Sequence, residues 1–338
     1  MVTIAHWAHA GTVRTGFVHE DHCLALPADT TPQDLFDAGL EATLELAART
    51  VADAPGDAPP LGEVRLLAPL APRTVRDFVS FEEHVEGVTA SIDGAGGVVD
   101  EWYEAPTFYF TNPHTVRAAG ETIPVPAGCS RMDLETEVAA VLGAADGLTG
   151  TDLEPADAHR MIFGYTVLND WSARDVQARE MKVRLGPCKG KDFASTLGPW
   201  IVTADELEHR HDAEGFLDLA MTAYVNGEPL GTDSLAHMGW PFAELVAYAS
   251  QDSLVVPGDV LGSGTSGRGC LAELWGRNGE LVPPPLREGD RVRLVVEGIG
   301  EIENTIGTRR HDRPPTVRAR SRGRSARPTI STDPRADR

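Results

Sequence analysis

Four carboxylates stand in this chain where apolar sequence would otherwise be expected. The fullest instance is Asp133-Leu134-Glu135-Thr136-Glu137-Val138, which leads straight into the apolar run Val138-Ala139-Ala140-Val141-Leu142. Residues two apart on a strand project to the same face, so Glu135 and Glu137 place two carboxylates side by side. Two anions held together repel unless a cation joins them. Taken alone, such a pair also fits a solvated strand face. Two further acids shift the balance: Asp77 in Val75-Arg76-Asp77-Phe78, and Asp170 at the end of Tyr165-Thr166-Val167-Leu168-Asn169-Asp170-Trp171. Both sit beside aromatic residues where an apolar segment ends, a position that rarely carries a surface charge. Converging, the four would form an all-oxygen site for a hard cation, Mg²⁺ or Ca²⁺, with Mn²⁺ also compatible.

Strands must position these acids. From about residue 70 onward, apolar runs such as Val138 to Leu142, Trp200-Ile201-Val202 and Val292-Arg293-Leu294-Val295-Val296 are separated by Gly, Pro and Asp turns, the pattern of a β-rich α+β domain. Short helices fit at Glu244 to Ser250 and around Ala156 to Met161. Residues 1 to about 70 read as a small N-terminal module with a strand-like run at Thr12 to Val18. One amphipathic helix follows, with Thr31 as N-cap and Pro32 at its first position, carrying Leu35, Leu40, Leu44 and Leu46 inward. A loop over Asp53 to Pro60 then precedes the strand Val64-Arg65-Leu66-Leu67. No internal repeat is present.

Several separated motifs appear in one order: Asn169-Asp170-Trp171-Ser172-Ala173-Arg174-Asp175-Val176-Gln177, then Leu185-Gly186-Pro187, then Gly190-Lys191-Asp192-Phe193. This succession resembles the signature stretch of the fumarylacetoacetate hydrolase family, and the resemblance runs over roughly residues 70 to 307. It implies that a divalent cation is bound by Asp77, Glu135, Glu137 and Asp170. It also implies that His84, seven positions after Asp77, is the base that activates water, oriented by Glu273 in Cys270-Leu271-Ala272-Glu273-Leu274-Trp275. Lys191 falls among the catalytic groups. Arg174, Gln177, Tyr109 and Thr265 match positions that bind substrate oxygens.

The chemistry so implied is hydrolysis of a carbon-carbon bond in a β-diketo acid, fumarylacetoacetate- or acylpyruvate-like. Decarboxylation or keto-enol isomerisation of a 2-oxo acid on the same site is the alternative, and a non-catalytic oxo-acid-binding protein is the alternative of another class. The resemblance also implies a homodimer, with the site in a C-terminal domain over 71–307 behind a module at 1–70. Between His84 and Tyr109, the glycine-rich stretch Ile92 to Val99 reads either as a lid over the substrate or as a plain surface loop.

Composition limits the partners. The 338 residues are 41% hydrophobic and carry a formal charge of −21, which argues against nucleic acid as the partner of the folded body. The acidity is uneven, since Arg309 to Arg338 holds ten Arg against three Asp. That Pro- and Ser-rich segment, 308–338, has little apolar surface to bury and is expected to be a disordered basic tail. No apolar run approaches the roughly 18 residues of a membrane span. The N-terminus lacks a signal-peptide pattern, so the cytoplasm is the expected compartment and no membrane partner is expected. Cys23, Cys129, Cys188 and Cys270 are scattered, without the spacing of a zinc site or a disulfide framework, and are read as reduced.

Overall fold

The computed structural model describes residues 1–93, 97–309 and Ala319. Its centre is the strand Thr136–Leu142, buried at every residue. Val138, Ala140 and Leu142 face one hydrophobic cluster, whereas Ala139 and Val141 face another. This period-two division explains why the segment is apolar without alternation: a strand covered on both faces has no solvent side on which to place polar groups.

The strand lies within an eleven-stranded sheet whose main path runs His22–Ala25, Thr12–His19, Thr3–His9, Ser195–Thr203, Ile162–Asp170, Thr136–Leu142, Val260–Gly262, Val75–Phe78 and Phe108–Thr111. A second sheet of five strands is ordered Glu228–Ser234, Ala220–Val225, Arg291–Val296, Gly300–Arg309 and Thr122–Val125. The two sheets share the largest core, where Val138, Tyr165 and Val167 meet Met221, Leu294, Val296 and Ile302. The expected strand-rich α+β fold is what the chain adopts. The first strands are part of the large sheet, with Thr3 and Ile4 paired to Val202 and Ile201. Among the described residues no helix is long and apolar enough to cross a membrane.

The expected helix beginning at Thr31 is present but divided. Thr31 caps Pro32–Ala38 in a reciprocal capping box with Asp34. Gly39, at φ 85°, then ends that helix, and a second, Leu40–Ala52, begins. A Cβ at Gly39 would stand 2.5 Å from the Ala144 carbonyl oxygen, so the break is a close-packed corner that admits glycine alone. The change of axis alters which residues face inward. Leu35 is buried as expected, but Leu40, Leu44 and Leu46 are only half-buried, and Phe36, Thr43 and Ala47 fill the interior instead.

Helices occupy Phe242–Ser250 and Pro155–Arg160, close to the expected positions. The glycine-rich stretch Ile92 to Val99 falls partly outside the described residues, as do positions 310–318 and 320–338 of the basic tail. The strand Gly300–Arg309 carries ordered structure just past the expected boundary at 307.

Candidate active site

The sheet brings the four acids together. Asp77 and Gly262 are paired on adjacent parallel strands, and Gly262 is in turn opposite Ala139, two residues along from Glu137. Glu135 immediately precedes the Thr136–Leu142 strand, its backbone N–H donating to the Asn169 side chain at 3.0 Å beside Asp170. Ligand-capable oxygens of Asp77, Glu135 and Asp170 all lie within 4.8 Å of one another. Glu137 joins them at Gly262: a Cβ there would stand 2.6 Å from Asp77 Oδ1 and 3.0 Å from Glu137 Oε2. The missing side chain leaves the cradle into which both carboxylates point.

All four acids are buried. Lys191 is buried with them and donates to Asp170 at 2.6 Å and to Glu135. Its loop is shaped by Glu180, whose carboxylate accepts the backbone N–H groups of Cys188, Lys189 and Gly190 at 2.9–3.0 Å. Gly190 is required there, because a Cβ would press to 2.7 Å on the backbone of Gln177. Arg174 gives Nε to Asp133 at 2.8 Å, Nη1 to the side-chain Oε1 of Gln177 at 3.1 Å and Nη2 to Glu135 at 2.6 Å. The Tyr109 hydroxyl donates to Asp170, and Thr265 reaches Glu137 Oε1 at 3.4 Å.

The electrostatics set one acid apart from the other three. Burial alone would raise Glu135, but Lys191 and then Arg174 outweigh it and hold that carboxyl well below the usual range. Asp77 is pushed far up by burial and then by Asp170, and Glu137 by burial and then by Asp77. Asp170 is also raised by burial, against the pull of Lys191. Lys191 itself is driven up: burial opposes its charge, but Asp170 and Glu135 more than compensate. Among the described residues Asp77 Oδ1 and Asp170 Oδ1 are buried with no hydrogen-bond donor. Orphaned anionic oxygens around an open cradle are what a hard divalent cation satisfies, so the residues present fit such an ion.

Near the acids lies buried His84, on the helix Glu82–Asp93. Its Nδ1 is 3.9 Å from Glu273 Oε2, an ion-pair distance longer than a hydrogen bond, and 3.7 Å from Cys270 Sγ. Glu273 is fixed by other donors, the Arg268 N–H at 2.6 Å and Arg277 at 2.8 and 3.1 Å. The structure therefore gathers every residue that sequence had singled out, with two differences of detail. Arg174 has each of its three nitrogens committed to protein groups, and the histidine-glutamate contact is loose.

Sequence reasoning passed over Asp133 and Cys270. Asp133, fully buried, accepts from the Leu134, Leu271 and Ala272 N–H groups as well as from Arg174. It thus ties the acids to the helix Leu271–Asn278 that presents Glu273. Its place directly before Leu134-Glu135 was the available signal. Cavity size would have misled: a groove of about 660 Å³ lined by Leu40, Leu44, Ala144, His159 and Glu208 contains none of these residues.

Comparison with known proteins agrees with the geometry. Residues 73–307 match the family described as fumarylacetoacetate (FAA) hydrolase C-terminal. The chain is 28% identical over 295 residues to a fumarylacetoacetase of Oryza sativa subsp. japonica, covering 72% of this chain and 68% of that protein. It is also 28% identical over 249 residues to the oxaloacetate tautomerase YisK of Bacillus subtilis (strain 168), covering 73% and 74%. Among solved structures, the fumarylacetoacetate hydrolase from psychrophilic Exiguobacterium antarcticum superposes with a TM-score of 0.67 at 25% identity, covering 91% of this chain and 100% of that one. The matched span contains every residue of the site from Asp77 to Glu273, and the chain belongs to the fumarylacetoacetate hydrolase family.

Proposed function

We propose that this protein is a divalent-metal-dependent hydrolase that cleaves a carbon-carbon bond in a β-diketo acid of the fumarylacetoacetate or acylpyruvate type. The observation that carries the reading is the buried pair His84 and Glu273, joined to the acids through Asp133, which grips both the first turn of the Glu273 helix and the Arg174 that holds Glu135. A binding protein needs an anchor for its ligand but no base for water.

Cleavage requires a nucleophile at one carbonyl and a destination for the electrons of the departing carbon. Asp77, Glu135, Glu137 and Asp170 would hold the cation, Mg²⁺, Ca²⁺ or Mn²⁺, which supplies polarisation of substrate oxygens when bound. His84 takes the proton of the attacking water, and Glu273, clamped by Arg277 and the Arg268 N–H, keeps the imidazole turned toward it and stabilises its charge. Lys191 and the Gln177 amide steady the developing oxyanion, where one preorganised donor contributes about 3 kcal/mol. Arg174 acts through Gln177 and Glu135, whose positions it sets. Tyr109, whose phenol is driven far up by burial and then by Asp170, stays a neutral donor beside the substrate oxygens.

The similarity to an oxaloacetate tautomerase supports a second reading, keto-enol isomerisation of a 2-oxo acid. That reaction moves a proton without consuming water. A screen of fumarylacetoacetate, acylpyruvates and oxaloacetate with Mg²⁺, followed by product mass, separates the two: hydrolysis yields two fragments whose masses sum to substrate plus water, isomerisation conserves mass. A chelator should abolish either activity. His84→Ala should lower the hydrolytic rate by about 10²–10⁴. Near-wild-type turnover in that variant would eliminate hydrolysis through His84.

A further inference from the structure

We propose that His84, Cys270 and Glu273 form a second metal site, specific for a thiophilic divalent ion of the zinc or cadmium kind and separate from the all-oxygen set. Three different donor atoms meet here: an imidazole nitrogen, a sulfur and a carboxylate oxygen, all within 4.8 Å of one another. His84 Nδ1 stands 3.7 Å from the sulfur and 3.9 Å from the oxygen. A tetrahedral ion with ordinary zinc bond lengths places its donors about 3.5 Å apart. The two edges that meet at His84 need to contract by only a few tenths of an ångström, and the sulfur–oxygen edge is within 4.8 Å.

The local structure makes the triangle rigid. Cys270 is the N-cap of the helix Leu271–Asn278, its sulfur accepting the Glu273 N–H at 3.4 Å, so one helical turn sets both donors. The third donor comes from the facing helix, brought close by Gly87, where a Cβ would collide with Glu273 Cγ at 2.2 Å. Arg277 occupies Glu273 Oε1, and the Arg268 N–H takes one lone pair of Oε2. Cys270 and Glu273 are fully buried, which protects an ion once bound.

Selectivity follows from donor softness. Mg²⁺ and Ca²⁺ take oxygen ligands, so they favour the four-acid set; sulfur and imidazole favour zinc and cadmium. On binding, the Cys270 thiol passes its proton to solvent and the ion engages Nδ1 of His84. Resting on the hydrolytic reading for its consequence, such an ion removes the water-activating base and inhibits, opposite to the effect of a hard ion held by the four acids.

The test uses the full chain carrying Cys188→Ala, since Cys188 is the exposed one of the four cysteines. With Mg²⁺ in excess, Cd²⁺ is titrated in, and the ultraviolet thiolate-to-cadmium charge-transfer absorbance is read together with bound metal. One equivalent accompanied by the absorbance is expected. Adding Cys270→Ser should remove the absorbance and that equivalent while serine keeps the helix cap, and His84→Ala should weaken binding. Absorbance that survives Cys270→Ser, or cadmium bound in the parent without any absorbance, overturns the site. Hydrolysis is assayed separately with Mg²⁺ alone, so its failure would leave the cadmium result intact.

Discussion

Replacing Asp133 with Asn tests whether one buried carboxylate holds the active site together. Its Oδ1 accepts from the Leu134 and Leu271 N–H groups, both at 2.8 Å, and its Oδ2 from Ala272 N–H at 3.0 Å and Arg174 Nε at 2.8 Å. An asparagine must turn its NH₂ toward one of these pairs. Whichever way it turns, two acceptor contacts become donor facing donor, in a place with no solvent. Two lost hydrogen bonds to the carboxylate leave stranded donors at about 1–3 kcal/mol each. Complete loss of a buried counterion would cost about 3–5 kcal/mol, but Glu135 still pairs with Arg174. The sum points to about 3 kcal/mol. Urea unfolding should therefore show a lower midpoint at an unchanged slope. Because Asp133 also anchors the first turn of the Glu273 helix, turnover should fall further than the loss of folded protein explains. An unfolding free energy within about 0.5 kcal/mol of the parent's, the range of an ordinary surface substitution, would refute the reasoning.

Two further outcomes are expected. Gly262→Ala, whose methyl group would stand 2.6 Å from Asp77 Oδ1, should weaken Mg²⁺ or Mn²⁺ binding by about 10–100-fold with an unchanged circular dichroism spectrum, and calorimetry showing parent affinity would contradict this. The metal-free protein should also lose stability as pH rises from the acid side. Asp77 and Glu137 have folded values raised above their unfolded ones, so their contribution is full below the unfolded carboxylate range near about 4 and is lost as pH climbs through the raised values. Bound Mg²⁺ displaces those protons and should flatten the fall, so melting curves that run parallel with and without Mg²⁺ across the pH series would speak against it.

What sequence could reveal depended on the range of the interaction involved. The Thr31-Pro32 helix start was legible because its capping box lies within four residues. The doubly buried strand from Thr136 was legible because burial on both faces leaves an apolar run. The break at Gly39 was not, since the leucine spacing continues across it and its cause is the Ala144 carbonyl, far along the chain. Asp133 escaped for the same reason: two of its four donors are at Leu271 and Ala272. Cys270 has no neighbouring motif and acquires a partner only when the helix of His84 folds against its own.

The charge balance explains why such a site persists despite what it costs the fold. Asp133, Asp77, Glu135, Glu137 and Asp170 are buried together, and the cations among them are Lys191 and Arg174. Arg174 is shared between Asp133 and Glu135, and Lys191 between Glu135 and Asp170. Glu135 thus has two cationic partners, while among the described residues Asp77 and Glu137 form no ion pair and approach each other at Gly262, where the Gly264 N–H and the Thr265 hydroxyl donate to Glu137 alone. A purely structural network of this kind would gain from replacement by apolar residues of similar size. The lopsided arrangement makes sense for a site that receives its missing charge from outside. Lysine and arginine then set the orientation of Glu135 and Asp170, and the unpaired half of the site, all oxygen, suits a hard divalent cation.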